Sequence, residues 1–144
     1  MYHKVLLLTL HILLLLALCG CKKEREIDET DILTSKIWKR TINDLNPSSN
    51  PQGEFSYAPL NDCDKDRTYS FSKNGTLTLI NTGTKCLPDE TETTLVKYNY
   101  NKENNVLTMA ANIFTILEIS ESQIKFKHVF PDNSGIRDYV FILQ

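Results

Sequence analysis

Four cysteines (Cys19, Cys21, Cys63, Cys86) and three histidines (His3, His11, His128) are the first candidates for chemistry in this sequence. Cys19 and Cys21 stand two apart, after a wall of leucines and before a burst of charge. By residue type alone they could be a redox pair, metal ligands or an attachment point. The histidines argue by position. His3 and His11 fall in the leading apolar stretch, which leaves His128 as the one imidazole beyond it. A His-rich zinc site or a paired-histidine mechanism needs more than that, and a Ser-His-Asp or Cys-His relay could use only His128 as its base. His128 ends an alternating run, where a surface or strand-end residue is expected.

The acidic residues promise little more. Asp62-Cys63-Asp64-Lys65-Asp66 imitates the start of a calcium loop, but in the EF-hand register the required Gly falls on Arg67 and the closing acid on Lys73. A solvated acidic loop is expected there. Asp89, Glu90 and Glu92 lie in a polar stretch near Pro88, whereas glycoside hydrolysis needs two carboxyls held across a cleft with shifted pKa values. The five glycines are scattered singly, so no phosphate cradle forms. Asn74-Gly75-Thr76 matches a glycosylation sequon, but its dipeptide is explained by a turn. These residues predict no metal, no cofactor and no catalysis.

The elements that must position these side chains read as short strands. "KIWKRTI" alternates around Trp38; "NDLNPSSNPQGEFSYAPLND" is a long loop with a strand fragment at residues 54–57. "RTYSFSKNGTLTLIN" carries two alternating runs joined at Asn74-Gly75, both of which accept the positive φ of a primed hairpin turn. "TTLVKYNYNKENNVLTMAA" and "FTILEISESQIKFKHVF" are further hairpins, turning at 102–105 and 121–122, and "IRDYVFIL" follows a turn at 131–135. About eight strands at this spacing predict an all-β antiparallel barrel or sandwich. Residues 22–34 read as a polar tether ending in a short helical turn. Aromatic residues recur on nearly every strand. Tyr98 and Tyr100 share a face by period two, as do Ile124, Phe126 and His128.

The leader has the layout of a secretory signal: Lys4, an apolar run over 5–18, then small residues before Lys22. The run is shorter than the roughly 20 residues a transmembrane helix needs. Leu18-Cys19-Gly20-Cys21 resembles the bacterial lipobox, in which the last cysteine is lipidated and becomes the mature N-terminus. On that resemblance residues 1–20 are a signal peptide, Cys21 carries the lipid and 21–34 is a tether. Cys19 leaves with the signal, and the remaining pair Cys63 and Cys86 reads as a disulfide in an oxidising envelope. Lys22, where an Asp commonly retains Gram-negative lipoproteins at the inner membrane, implies the outer membrane, on its periplasmic or cell-surface face. Taking 20 residues from 144 leaves 124, one domain's worth. The basic count falls from 16 to 15 against 18 acids, a charge that argues against nucleic-acid partners.

"LTSKIWKRT", "CDKDRTYSFSKNGTLTL" with Cys86 following, "YNYNKENNVLTM" and "FTILEISESQIKFK" resemble, in that order, the lipocalin-like lipoproteins of Bacteroidota. The resemblance implies a small calycin-type, up-and-down barrel of about eight strands over residues 35–144. The family's ligand pockets do not transfer, because Lys36-Ile37 precede Trp38 where better-known lipocalins have Gly-x-Trp. The aromatics spread over the strands, Trp38, Tyr98, Tyr100, Phe114, Phe126 and Tyr139, are instead expected to line a cavity that binds a small hydrophobic or amphipathic ligand without catalysis. The competing expectation is a barrel filled by its own side chains, the other outcome at this barrel size, acting as an interaction module. Its 44–62 loop or exposed strand edge would then dock an envelope protein or glycan.

Overall fold

The computed structural model describes residues 28–132 and 135–144. The expected leader, Cys19, Cys21 and the first half of the expected tether lie outside the described residues, as does the centre of the turn expected at 131–135. Among the described residues no helix is long and apolar enough to cross a membrane.

Short alternating strands bury their apolar faces by curling around them, and this chain does so in a closed barrel. In order the elements are α1 (Glu29–Leu33), β1 (Trp38–Thr41), a 3-10 turn (Pro47–Ser49), β2 (Phe55–Tyr57), α2 (Asp62–Lys65), β3 (Arg67–Ser72), β4 (Thr76–Asn81), β5 (Thr93–Asn101), β6 (Val106–Met109), β7 (Asn112–Ile119), β8 (Ile124–Asp132) and β9 (Gly135–Leu143). The sheet order is β1-β3-β4-β5-β6-β7-β8-β9-β2, and a β1–β9 pairing closes it. The fold is therefore the expected all-β antiparallel barrel of eight strands, with β2 added outside the ring. At the seam Arg40 faces Leu143 and Thr41 faces Ile142, and Lys39 and Gln144 exchange backbone hydrogen bonds of 2.8 and 2.9 Å.

β2 is parallel to β9, pairing Phe55 with Asp138 and Tyr57 with Val140. The reason is directional. β1 runs antiparallel to β9 and stops at Thr41; the chain then reverses once through residues 42–54 and lies along the edge β1 has left. That loop folds over the barrel's outer face, where the Leu45 N–H donates to Gln123 and the Lys125 ammonium donates to the Asn46 carbonyl.

Two expectations need correction. The Asn74-Gly75 hairpin is not a two-residue primed turn. Lys73 joins it, Ser72 pairs with Thr76, and of the dipeptide only Gly75 takes a positive φ, +78°. A three-residue turn needs only that one left-handed position. A Cβ on Gly75 would also stand 3.2 Å from the Tyr98 carbonyl. Nor is residues 21–34 all tether, because its last residues are part of the barrel's interior packing. Asp28 caps α1 by accepting from the Thr30 N–H at 2.8 Å, and α1 delivers Leu33, wholly buried, into one end of the barrel. Trp38, also wholly buried, donates its indole N–H to the Leu33 carbonyl at 2.9 Å. Tyr100 donates its hydroxyl to the Glu29 carboxylate. Phe71, Leu77, Leu107, Ile124 and Leu143 fill the space beneath this plug.

Candidate ligand cavity

With α1 sealing one end, the inward positions toward the other end enclose unfilled space. Period-two alternation brings Tyr69 of β3, Leu79 of β4, Val96 of β5, Met109 of β6, Phe114 of β7 and Phe126 of β8 to one cavity of about 240 Å³, completed by Arg40 and Phe141 at the seam. The rings pack edge to face, Phe114 to Phe126 at 5.2 Å, and stacked, Phe126 to Phe141 at 5.4 Å. Beside it a more open groove of about 380 Å³ shares Arg40 and Phe141 and is lined further by Ala58, Pro59, Asn61, Phe130, Tyr139 and Asp64, whose carboxylate pairs with Arg67. One wall is thus supplied by the chain that carries β2.

The structure divides the expected aromatic set. Phe114 and Phe126 line the cavity, and Tyr139 lines the groove. Trp38, Tyr98 and Tyr100 face inward as well but belong to the sealed end. Trp38 lies under α1, and Tyr98 donates to the Ser72 carbonyl at 2.8 Å while packing edge-on to Phe71 at 5.0 Å. Burial pushes both tyrosine phenols up, and in Tyr100 the neighbouring Glu29 carboxylate adds to the rise.

Arg40 is the residue the sequence reading missed. It follows Trp38 by two positions in "KIWKRTI", so the alternation that turns Trp38 inward also turns this guanidinium inward, opposite Leu143. Its carbon lies 4.8 Å from the Phe141 ring centroid, and its Nη2 donates at 3.3 and 3.4 Å to the Ala58 and Pro59 carbonyls. Its Nε is buried without a hydrogen-bond partner. Burial raises the neighbouring Tyr69 phenol, and the Arg40 charge works against that rise.

His128 faces inward near the open end, between Phe114 at 4.9 Å and Phe130 at 4.3 Å. Its Nδ1 lies 2.6 Å from the Ile113 carbonyl, which it can meet only as a donor. The ring is therefore held by packing and one backbone bond.

The acidic stretch around Cys63 forms α2 rather than a loop, and the charges of Asp62, Asp64 and Lys65 are paired. Asp62 meets Lys65 at 2.6 Å, and Arg67 bridges Asp64 at 3.3 Å and Glu90. The Cys86 N–H, donating to Glu90 at 2.8 Å, is the main cause holding that carboxyl below its usual value. Cys63 and Cys86 stand at disulfide distance, Cα to Cα 5.1 Å. Their sulfurs and an Asp64 oxygen lie within 4.8 Å of one another, but a metal there would need both thiolates released from the pair and Asp64 released from Arg67.

What the arrangement offers chemically is an apolar chamber with one cation at its mouth. Compared with known proteins, the chain matches no family model and no curated protein.

Proposed function

We propose that this chain is a lipid-anchored envelope lipoprotein whose lipocalin-like barrel binds a small hydrophobic or amphipathic molecule without reacting with it. The observation that carries the reading is the unfilled apolar chamber between Val96, Met109, Phe114 and Phe126, in a barrel that α1 closes at the opposite end. An apolar lining with a few polar groups is the usual make-up of a small-molecule site. The anchor rests on the lipobox-like Leu18-Cys19-Gly20-Cys21, and the outer membrane on Lys22.

Native mass spectrometry of the protein exported through its host's envelope tests the ligand. A defined adduct, lost on unfolding, is expected. A clean unliganded mass, reproduced after incubation with envelope lipid extract, would sink the binding reading. Metabolic labelling with palmitate tests the anchor: label is expected in the wild type and absent from Cys21→Ser.

Two observations favour a second reading, in which the barrel docks an envelope protein or glycan. The chamber is smaller than the roughly 300 Å³ at which ligand pockets ordinarily begin, and Ile42 and Leu45 are exposed by 58 % and 54 % on the 42–54 loop. The unliganded mass is the outcome that would favour it.

A further inference from the structure

Resting on the binding reading above, we propose that the ligand is a monoanionic amphiphile of the medium-chain carboxylate class. Its carboxylate sits on Arg40, and its tail lies in the chamber between Met109, Phe114 and Phe126. Arg40 carries a charge that the fold leaves without a counter-ion among the described residues. A guanidinium turned toward an apolar lining loses hydration and is normally compensated by a carboxylate. Among the described residues Arg40 has no such partner. Lys127 takes Asp138 at 2.8 Å, Arg67 takes Asp64 and Glu90, and Lys125 takes Asp44 at 3.0 Å. What Arg40 does have is two long bonds to carbonyls, the neighbouring Tyr69 hydroxyl, the face of Phe141 and a buried Nε without a hydrogen-bond partner, none of which carries a negative charge. An anion arriving at the junction of chamber and groove would meet the Arg40 guanidinium, in the charge-assisted geometry that group forms best with carboxylates.

The size of the chamber sets the tail. At about 240 Å³ it suits one short chain and excludes the paired acyl chains of a phospholipid. The second space, about 380 Å³ and more open, begins on the other side of Arg40, so the head remains in contact with solvent. A single cation at the boundary of an apolar chamber selects for one charge and one tail.

The test uses the full chain held in a non-ionic amphipol, so that no detergent monomer competes, titrated calorimetrically with decanoate, 1-decanol and decyltrimethylammonium. Decanoate is expected to bind at least tenfold more tightly than decanol, and the cation more weakly than either. Arg40→Met should abolish the preference for decanoate over decanol, and Arg40→Lys should keep part of it. Equal affinity for decanoate and decanol in the wild type would overturn the anionic head and leave the binding barrel standing. That comparison needs no variant to fold. Binding of none of the three would overturn this inference together with the binding reading.

Discussion

Asp44 and Lys125 make the most consequential polar contact of the barrel's outer face. The Lys125 side chain is fully buried and that of Asp44 is 4 % exposed. Burial alone would raise the Asp44 carboxyl. Hydrogen bonds from Lys125, the Asn46 N–H, Tyr57 and Asn50 outweigh it and bring the group from 3.8 to about 2. A carboxyl depressed on folding adds stability above its unfolded value, and that stability is lost as pH falls through the folded one. About 2 kcal/mol should therefore disappear between pH 4 and pH 2 on this account, which urea titrations across that range would measure. Lys125→Met should cost about 3–5 kcal/mol, because it strands a buried carboxylate, and should move the acid transition to higher pH. Adding Asp44→Asn should restore much of the loss; a double variant as unstable as the single one would refute the pairing argument. Nothing in "ESQIKFK" announces this contact. Period two places Lys125 on the outer face, where a lysine ordinarily meets water, and only the long-range return of the 42–54 loop buries it. Arg40 was legible by the same alternation that gave Trp38, yet its inward charge acquires meaning only from the walls around it.

At the scale of elements, the plug carries the clearest prediction. Leu33 is the only buried residue of α1, a helix of five residues too short to persist by itself. Leu33→Ala should cost about 2–5 kcal/mol, seen as a lower urea midpoint with an unchanged slope. Hydrogen exchange of the Trp38 indole N–H, protected by the Leu33 carbonyl, should accelerate with it. An unaltered midpoint would show that the barrel is sealed without α1. The hairpins were readable because each is a local device: alternating runs on either side of turn residues such as Asn104-Asn105, where Asn105 takes φ +55°. The strand fragment near residues 54–57 was visible too, but its parallel partner was not. That pairing depends on where β1 ends, and no residue in "GEFSY" encodes it. The same limit hid the helix at Asp62–Lys65, whose closely spaced acids resemble a loop and whose ties to the rest of the fold, Cys63 to Cys86 and Asp64 through Arg67 to Glu90, come from distant sequence.

For the molecule as a whole, Cys63 and Cys86 tie α2 to the loop between β4 and β5, across 23 positions of sequence. Cross-linking a loop of that length restricts the unfolded chain by about 3 kcal/mol in the chain-entropy model. The Cys63→Ser/Cys86→Ser double variant should unfold at a correspondingly lower urea concentration, and a reductant should do the same to the wild type while leaving the variant unmoved. A wild type indifferent to reductant would deny the bond any part in stability. The barrel was legible at this scale from the count and spacing of strands, since about eight short antiparallel runs have few ways to cover their edges. Whether it encloses space was not, because that depends on how far Met109, Phe114 and Phe126 reach across the interior, which spacing does not specify.

The position of β9 in the ring governs when the molecule can come into being. This strand serves β8 on one side and both β1 and β2 on the other, and the bond from Gln144 to the Asn43 carbonyl spans 101 positions. Synthesis delivers β9 after every one of those partners. Until it emerges, β1 and β8 are unpaired edges, the condition under which β chains fold slowly and associate wrongly. Arg40 and Phe141 stand on opposite sides of this last seam. The chamber cannot close before β9 is made, and a nascent chain still lacking that strand has nowhere to hold a guest.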